Sequence, residues 1–472
     1  MRLGLAEIAE ACGGVVAGAA RATRAAGAAG ETAPGGAGAP RSTATAGPTI
    51  DGVTIDSRAV EPGQLFAAMA GQRDGHDFAA AAVHAGAGAV LVARDVGDLG
   101  VAQIRVPDTA AALLDVGRLA RRHLPDRVVG ITGSVGKTST KDLMAAVLGR
   151  GFPTHASARS FNNELGVPLT LAGAPDGTGA VVVEMGARGP GHIRLLCDVA
   201  RPTVGVVTVV AGAHLEMFGT LDAVAEAKGE LVAALPARGT AVLNADDERV
   251  SGMASRAAPG VEVVRFSATG AASADVRATG VRLDDAVRAR FVLRTPWGDA
   301  DVGLAAHGAH HVVNALAAAA SGLALGVPVD AVVAALAEAA PSAGRMTLRR
   351  TRSGCTVVDD SYNANPTSTR AALAALQALP ARRRIAVLGT MAELGDGGPA
   401  EHRAIAEEAA AAGVHVIAVA EPAYGVTGRD AVGGWEAAHD RLRDLDVGAG
   451  DAVLVKASRV AGLDRLVAVL CA

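Results

Sequence analysis

Apolar residues along this chain recur in distinct rhythms, and each rhythm predicts a different element. Short aliphatic runs at 128–132, 180–185, 204–210 and 240–244 read as strands buried on both faces, the pattern of a parallel sheet covered by helices. Between them apolar residues recur at helical spacing, as at Leu143, Met144, Val147 and Leu148 in the segment 141–148. This alternation over about 125–341 predicts a doubly wound α/β unit with a parallel sheet. A second set of strands at 356–360, 385–388, 416–419 and 452–455, with helices between, predicts a Rossmann-like unit over 342–472. That unit lacks a Gly-x-Gly-x-x-Gly fingerprint, which disfavours a redox role. At the other end, residues 3–12 predict an amphipathic helix with Leu3, Leu5, Ile8 and Ala9 on one side. Short strands and turns from residue 50 onward, a helix at 79–85 and a strand at 89–93 complete a small α/β domain ending near 124. The fold class is therefore α/β in three domains: 1–124, 125–341 and 342–472.

One stretch has no rhythm. Residues 17–48 are almost wholly Ala, Gly, Thr, Pro and Arg, a composition that cannot bury enough apolar surface to offset chain entropy, so a flexible low-complexity insertion is expected.

Composition narrows the class of protein. Hydrophobic residues make up 50% and charged residues 19% of the 472, enough for a sizeable core and too apolar for global disorder. A net charge of −4 carries no nucleic-acid or anionic-membrane signal. Cys12, Cys197, Cys355 and Cys471 are widely separated, without metal-ligand spacing, and read as reduced thiols. Glu7 and Glu10 stand where a secretory signal needs an apolar run, and no apolar stretch reaches the roughly 18 residues of a membrane span. A cytoplasmic protein without membrane insertion is expected.

The candidate chemistry begins at Gly130-Ile-Thr-Gly-Ser-Val-Gly-Lys-Thr-Ser-Thr140, between a predicted strand and a predicted helix. A glycine-rich turn in that position cradles phosphate: backbone N–H groups approach the anion, the helix N-terminus adds its positive end, and the lysine reaches the outer phosphates. Lys137 would be that lysine and Thr138 the hydroxyl on Mg²⁺. The general nucleotide motif needs a glycine at position 131, which is Ile, so the strict form is not matched. Further polar groups follow the next strands: Glu184, then His214 and Glu216, then Asn244, Asp246 and Asp247. One carboxylate at a strand end is commonly a helix cap. Several on the rim that holds a phosphate loop suit Mg²⁺, which favours oxygen ligands. Asp56, Arg58 and His76, taken alone, read as surface and turn residues.

The shorter Thr-Gly-Ser-x-Gly-Lys-Thr form resembles the ATP loop of the Mur ligase family and of folylpolyglutamate synthetases. Asp56-Ser-Arg58, Gly75-His-Asp-Phe78, Phe161-Asn-Asn-Glu-Leu-Gly-Val-Pro-Leu-Thr170, Ala213-His-Leu-Glu-Met-Phe-Gly219, Ala227-Lys-Gly-Glu230 and Asp359-Asp-Ser-Tyr-Asn-Ala-Asn-Pro366 extend the resemblance over nearly the whole chain. They are most similar to the branch that adds D-alanyl-D-alanine to UDP-N-acetylmuramoyl-tripeptide (UDP-MurNAc-tripeptide). The last segment is the most specific. The resemblance implies a UDP-sugar-binding first domain, a central ATPase domain and a third domain closing on ATP and the dipeptide.

The resemblance also implies roles for residues. ATP would lie on Gly133, Ser134, Val135, Gly136, Lys137, Thr138 and Ser139, with Asn314 at adenine, Arg345 at the phosphates and Asp360 at the ribose. Thr138, Glu184 and His214 would bind Mg²⁺, and a carbamylated Lys228 would hold a second ion. Lys137, Lys228, His214 and Glu184 would form the catalytic set. Ser57, Arg58, Asn162, Asn163, Asn363 and Asn365 would face the substrates. Three positions depart from the family pattern: His311 for Asn, Thr390 for an acid, and Ala457 for Gly. The implied reaction is amide ligation through an acyl phosphate, in a monomer that binds no nucleic acid. Another amino-acid ligase of the same superfamily, or a P-loop NTPase without ligase chemistry, are the alternatives.

Overall fold

A computed structural model describes residues 1–18, 48–158, 160–212 and 215–472. Most of the expected insertion, 19–47, and His214 lie outside the described residues. The chain forms two units, one of Met1–Leu124 with Phe161–Thr178, the other of Pro125–Ser160 with Gly179–Ala472. The segment 161–178, read in the sequence as part of the central region, thus belongs with the first unit.

In the first unit a sheet runs in the order Val15–Ala17, Ala102–Arg105, Ala89–Val92, Leu65–Ala67, Val53–Thr54. All neighbours are parallel except the first pair. Ala17, expected to open the insertion, instead pairs with Gln103. The N-terminal helix is shorter than expected, Leu5–Ala11, because Gly4 is extended and Leu3 belongs to the strand Arg2–Gly4, opposite Ile50. Leu3, Leu5, Ile8 and Ala9 are all buried as the pattern requires. Helix Thr109–Arg122, started by an Asp108 side-chain cap, packs against helix Gly166–Ala172.

The second unit carries two sheets. The larger has nine strands in the order Ala300–His307, Arg288–Arg294, Val276–Leu283, Glu262–Ser267, Thr240–Asn244, Val204–Val207, Val128–Thr132, Ala180–Glu184, Thr154–Ala156. Its parallel part contains the four predicted strands, with Thr154–Ala156 and Glu262–Ser267 additional, and Val204–Val207 ends earlier than the run to 210. The three strands from Val276 to His307 pair antiparallel to one another, so the sheet is mixed rather than wholly parallel. Strand Val128–Thr132 lies between Ala180–Glu184 and Val204–Val207. The chain order reverses around it, which is where open α/β sheets bind ligands.

Helix Lys137–Leu148 begins one turn before the predicted segment, at the lysine itself. It packs on His311–Ala324, an alanine-rich helix that lets the two axes come close. At Gly322 an added Cβ would lie 2.4 Å from Val147 Cγ1. The smaller sheet runs Thr347–Arg350, Thr356–Asp359, Asp451–Lys456, Arg383–Leu388, His415–Val419, Ala431–Val432. The four predicted strands form its interior and the two edge strands are additional. All four cysteines are free. No helix among the described residues is long and apolar enough to cross a membrane.

Candidate active site

The phosphate-type loop connects strand Val128–Thr132 to helix Lys137–Leu148, and two glycines make its path possible. Gly136 precedes the helix at φ +83°, the left-handed region. A Cβ there would lie 2.5 Å from Asn314 Oδ1, and one on Gly133 would lie 1.9 Å from Thr208 Oγ1. The loop is clamped from the next strand's exit. Thr208 Oγ1 donates to the Val135 carbonyl at 2.7 Å, Ser134 N to the Val209 carbonyl at 2.7 Å, and Ser134 Oγ to the Ala211 carbonyl at 2.9 Å. Residues 208–211 leave the sheet early because they wrap this loop. Thr208 was not singled out from the sequence; its only signal is a hydroxyl directly after a buried strand.

Lys137 Nζ donates to the Gly133 carbonyl at 2.8 Å, folding the side chain back over the loop. Burial pulls its pKa down; Glu184 and Glu393 oppose that pull and Arg345 adds to it. These three charges therefore gather around the lysine. Glu184 closes its strand in register with Ile131 and is 1% exposed; its backbone N–H donates to Ser157 Oγ at 3.1 Å. Thr138 is buried and its Oγ1 accepts from Arg345 Nη2 at 3.1 Å. Ser139 is buried in the same turn. Lys228, on helix Leu221–Ala233, is 2% exposed; burial and then the charge of Lys137 bring its pKa down to about 7. The structure therefore brings Lys137, Thr138, Glu184, Lys228 and Arg345 into one electrostatic neighbourhood. Among the described residues no group of three or more His, Cys, Asp or Glu forms a metal cluster.

Asn314 ties helix His311–Ala324 to the loop. Its Oδ1 accepts from Thr140 Oγ1 at 3.2 Å and its Nδ2 meets His311 Nδ1 at 3.2 Å. His311, one of the departures from the family pattern, is 1% exposed, and among the described residues its Nε2 has no hydrogen-bond partner. Burial lowers its pKa well below the ordinary value and brings that of His310 to about 4, so both rings are neutral at neutral pH.

Several sequence-predicted residues have structural partners instead. Asp360, expected at a ribose, has both oxygens engaged: Oδ1 by Met346 N at 3.1 Å and Oδ2 by Lys456 Nζ at 2.5 Å. Lys456, 2% exposed, also donates to the Asn363 carbonyl at 2.8 Å, while Asn363 itself is exposed. Asn365 caps helix Pro366–Ala378 in a capping box with Ser368. Asn163 Oδ1 accepts from Leu165 N at 3.3 Å and Gly166 N at 2.9 Å in the turn that leads into helix Gly166–Ala172. The strand-end set at 244–247 is spent on backbone: Asp246 accepts from Ala268 and Thr269 N–H groups, Asp247 from Val210 and Val250, and Asn244 donates to the Thr208 carbonyl. This removes it from the expected metal ligands. Glu216 is exposed. His76 is buried rather than at the surface, held by Asp74 at 2.6 Å and by Ala93 N at 2.8 Å. Ser57, Arg58, Asn162 and Asn163 all lie in the first unit, where exposed Arg58 is gripped by Asp56 through Nε and Nη2 at 2.9 and 2.7 Å. Thr390, a second departure, donates to Glu421 Oε2 at 2.7 Å.

Comparison with known proteins places this geometry in a family. Residues 131–322 match the family model described as the Mur ligase middle domain, 344–459 the Mur ligase glutamate ligase domain, and 49–119 the Mur ligase family catalytic domain. A UDP-N-acetylmuramoyl-tripeptide–D-alanyl-D-alanine ligase of Mycobacterium tuberculosis is 41% identical, over 89% of this chain and 92% of that protein. The crystal structure of MurF from Acinetobacter baumannii superposes with a TM-score of 0.84 at 30% identity, covering 100% of this chain and 99% of that one. MurF ligase from Thermotoga maritima, solved in complex with ADP, gives a TM-score of 0.77 at 28% identity, covering 89% and 96%.

Proposed function

Since the chain belongs to the Mur ligase family, we propose that it joins D-alanyl-D-alanine to UDP-MurNAc-tripeptide at the expense of ATP, in peptidoglycan precursor synthesis. The observation that carries this reading is the convergence of Lys137, Thr138 and Arg345 on one phosphate loop, with Arg345 supplied from the segment that leads into the smaller sheet. A nucleotide there would meet cations from both sheets of the second unit.

The tripeptide carboxylate oxygen attacks the γ-phosphorus of ATP; the bridging P–O bond breaks and ADP leaves. The dipeptide amine then attacks the acyl carbon, a C–N bond forms, the C–O bond to phosphate breaks, and the amine loses a proton. Both reactants of the first step are anions, so catalysis is chiefly charge neutralisation and positioning. Lys137 and Arg345 place positive charge where the phosphoryl group transfers. The backbone N–H groups after Gly133 and the N-terminus of helix Lys137–Leu148 hold the phosphates.

The donor set fits Mg²⁺: a buried hydroxyl on Thr138 and a buried carboxylate on Glu184, both at the carboxyl end of the sheet. These two and His214 would hold one ion, which would screen the phosphate oxygens. Lys228 fits carbamylation, because only a neutral amine adds to CO₂ and its pKa near 7 leaves much of it neutral. As a carbamate it would offer an anionic oxygen to a second ion. Ser57, Arg58, Asn162 and Asn163 of the first unit would serve the UDP-sugar substrate. The cytoplasm would be the site of action, with the protein acting as a monomer.

The reading is tested with tripeptide substrate carrying ¹⁸O in its terminal carboxylate. It expects UDP-MurNAc-pentapeptide as product and one ¹⁸O in the released phosphate. Phosphate free of label would overturn the acyl-phosphate route.

A further inference from the structure

Strand Arg383–Leu388 of the smaller sheet runs into a connection, 389–397, that is held more tightly than a surface turn requires. Helix Gly398–Ala411 follows it, and His402, one turn into that helix, is 3% exposed. Its Nδ1 donates to the Gly398 carbonyl at 2.7 Å, which assigns the proton to Nδ1 and leaves Nε2 as an acceptor. Nε2 takes the Met391 N–H at 2.8 Å. One ring thus staples the start of the connection to the helix after its end. Tyr424 stands edge-on to this ring, with centroids 4.9 Å apart, and its hydroxyl donates to the Gly389 carbonyl at 2.9 Å. Ser458 Oγ accepts from Ala392 N at 2.8 Å.

This clamped connection carries a strained residue toward the phosphate loop. Glu393 is held at φ +65°, in the left-handed region, which a non-glycine residue keeps only where its surroundings over-determine it. Two residues on, an added Cβ at Gly395 would lie 3.3 Å from Glu216 Cα, so the connection reaches helix Leu215–Phe218 beyond the larger sheet's strand Val204–Val207. Glu393 is one of the two carboxylates whose charge bears on Lys137. We propose that His402 is a positioning residue for the ligation: it locks 389–397 so that the Glu393 carboxylate stays in the electrostatic neighbourhood of Lys137. An imidazole suits the task because it presents one donor and one acceptor on a rigid ring. The inference rests on the ligase reading above.

The test is a double-mutant cycle on the full-length protein. His402→Leu, which fills the space but offers neither bond, is expected to lower kcat about 10–100-fold and to leave KM for UDP-MurNAc-tripeptide within about twofold. Glu393→Gln should lower kcat by a similar factor. The double variant should fall no more than about twofold below the slower single one, because both changes remove the same arrangement. His402→Gln, with one donor and one acceptor, should recover most of the loss. His402→Asn, too short to reach Met391 N, should not, and it replaces the leucine variant in the cycle if that one does not fold. Losses that multiply would show that His402 and Glu393 act apart and overturn the inference, as would a His402→Leu protein with the parental kcat. A parent that forms no UDP-MurNAc-pentapeptide removes the ligase reading, and the inference with it.

Discussion

Arg345 Nη2 donates to Thr138 Oγ1 at 3.1 Å, joining residues 207 positions apart. Arg345 sits between two residues in the left-handed region, Gly344 at φ +73° and Met346 at φ +55°. Just before it, Ser342 donates through N and Oγ to Asp142 Oδ2 at 2.8 and 2.7 Å. The segment leading to the smaller sheet is thereby tied twice to the helix of the phosphate loop. Arg345→Met should lower kcat by about 10²–10³, the cost of removing one preorganised charge donor. Its circular dichroism spectrum should stay unchanged. Steady-state kinetics with a loss below about fivefold would contradict the role.

Lys228 separates stability from activity. Its pKa falls from the ordinary 10.5 to about 7 in the folded state. The unfolded chain therefore binds more protons between those values, and this group's contribution to stability rises with pH across that window. Lys228→Met should raise Tm in CO₂-free buffer, most clearly near pH 6, with the gain shrinking toward about pH 10. The same variant should lose nearly all ligase activity, with partial rescue by a short-chain carboxylate. A Tm gain that grows with pH would refute the electrostatic origin.

Gly322 is required by the approach of two helices. A Cβ there would lie 2.4 Å from Val147 Cγ1, and a β-branched partner cannot turn aside. Gly322→Ala should destabilise the second unit by about 1–3 kcal/mol in denaturant titration. Adding Val147→Ala should cost less than the sum of the two single changes.

Asp451 is the anchor of the smaller sheet. Its side chain is fully enclosed and accepts from Arg383 Nε and Nη2 at 3.0 and 2.6 Å and from Gly448 N at 3.0 Å. The Arg383 hydrogen bonds hold its pKa at about 2, below the ordinary carboxylate value. Its contribution is complete above that ordinary value and is lost as pH falls toward about 2. Asp451→Asn should cost about 1–3 kcal/mol at neutral pH, discounted because Arg383 is partly solvated. The difference from the parent should narrow in acid. An equal difference at about pH 3 and 7 would contradict it.

Much of the fold was legible because it is written locally. Aliphatic runs marked the parallel strands, and the glycine-rich turn marked the loop that holds Lys137 and Thr138. The strands from Val276 to His307 were legible too, since Arg288–Arg294 alternates exposed and buried residues, but the helix-and-strand reading passed over them. What could not be read is what depends on distant partners. Thr208 clamping Val135 and Lys456 holding Asp360 are pairings between distant segments, and composition does not encode them, whereas the Asn365 cap with Ser368 is local and was passed over. Asp246 and Asp247 looked like metal ligands for the same reason: carboxylates at strand ends cap backbone as readily as they bind ions.

The central claim is most directly tested by phosphate release from ATP and Mg²⁺ with UDP-MurNAc-tripeptide and D-Ala-D-Ala omitted in turn. Release that needs both, with UDP-MurNAc-pentapeptide appearing in equal amount, is the expected result. Steady release with either one absent would contradict the ligase and leave an NTPase in its place.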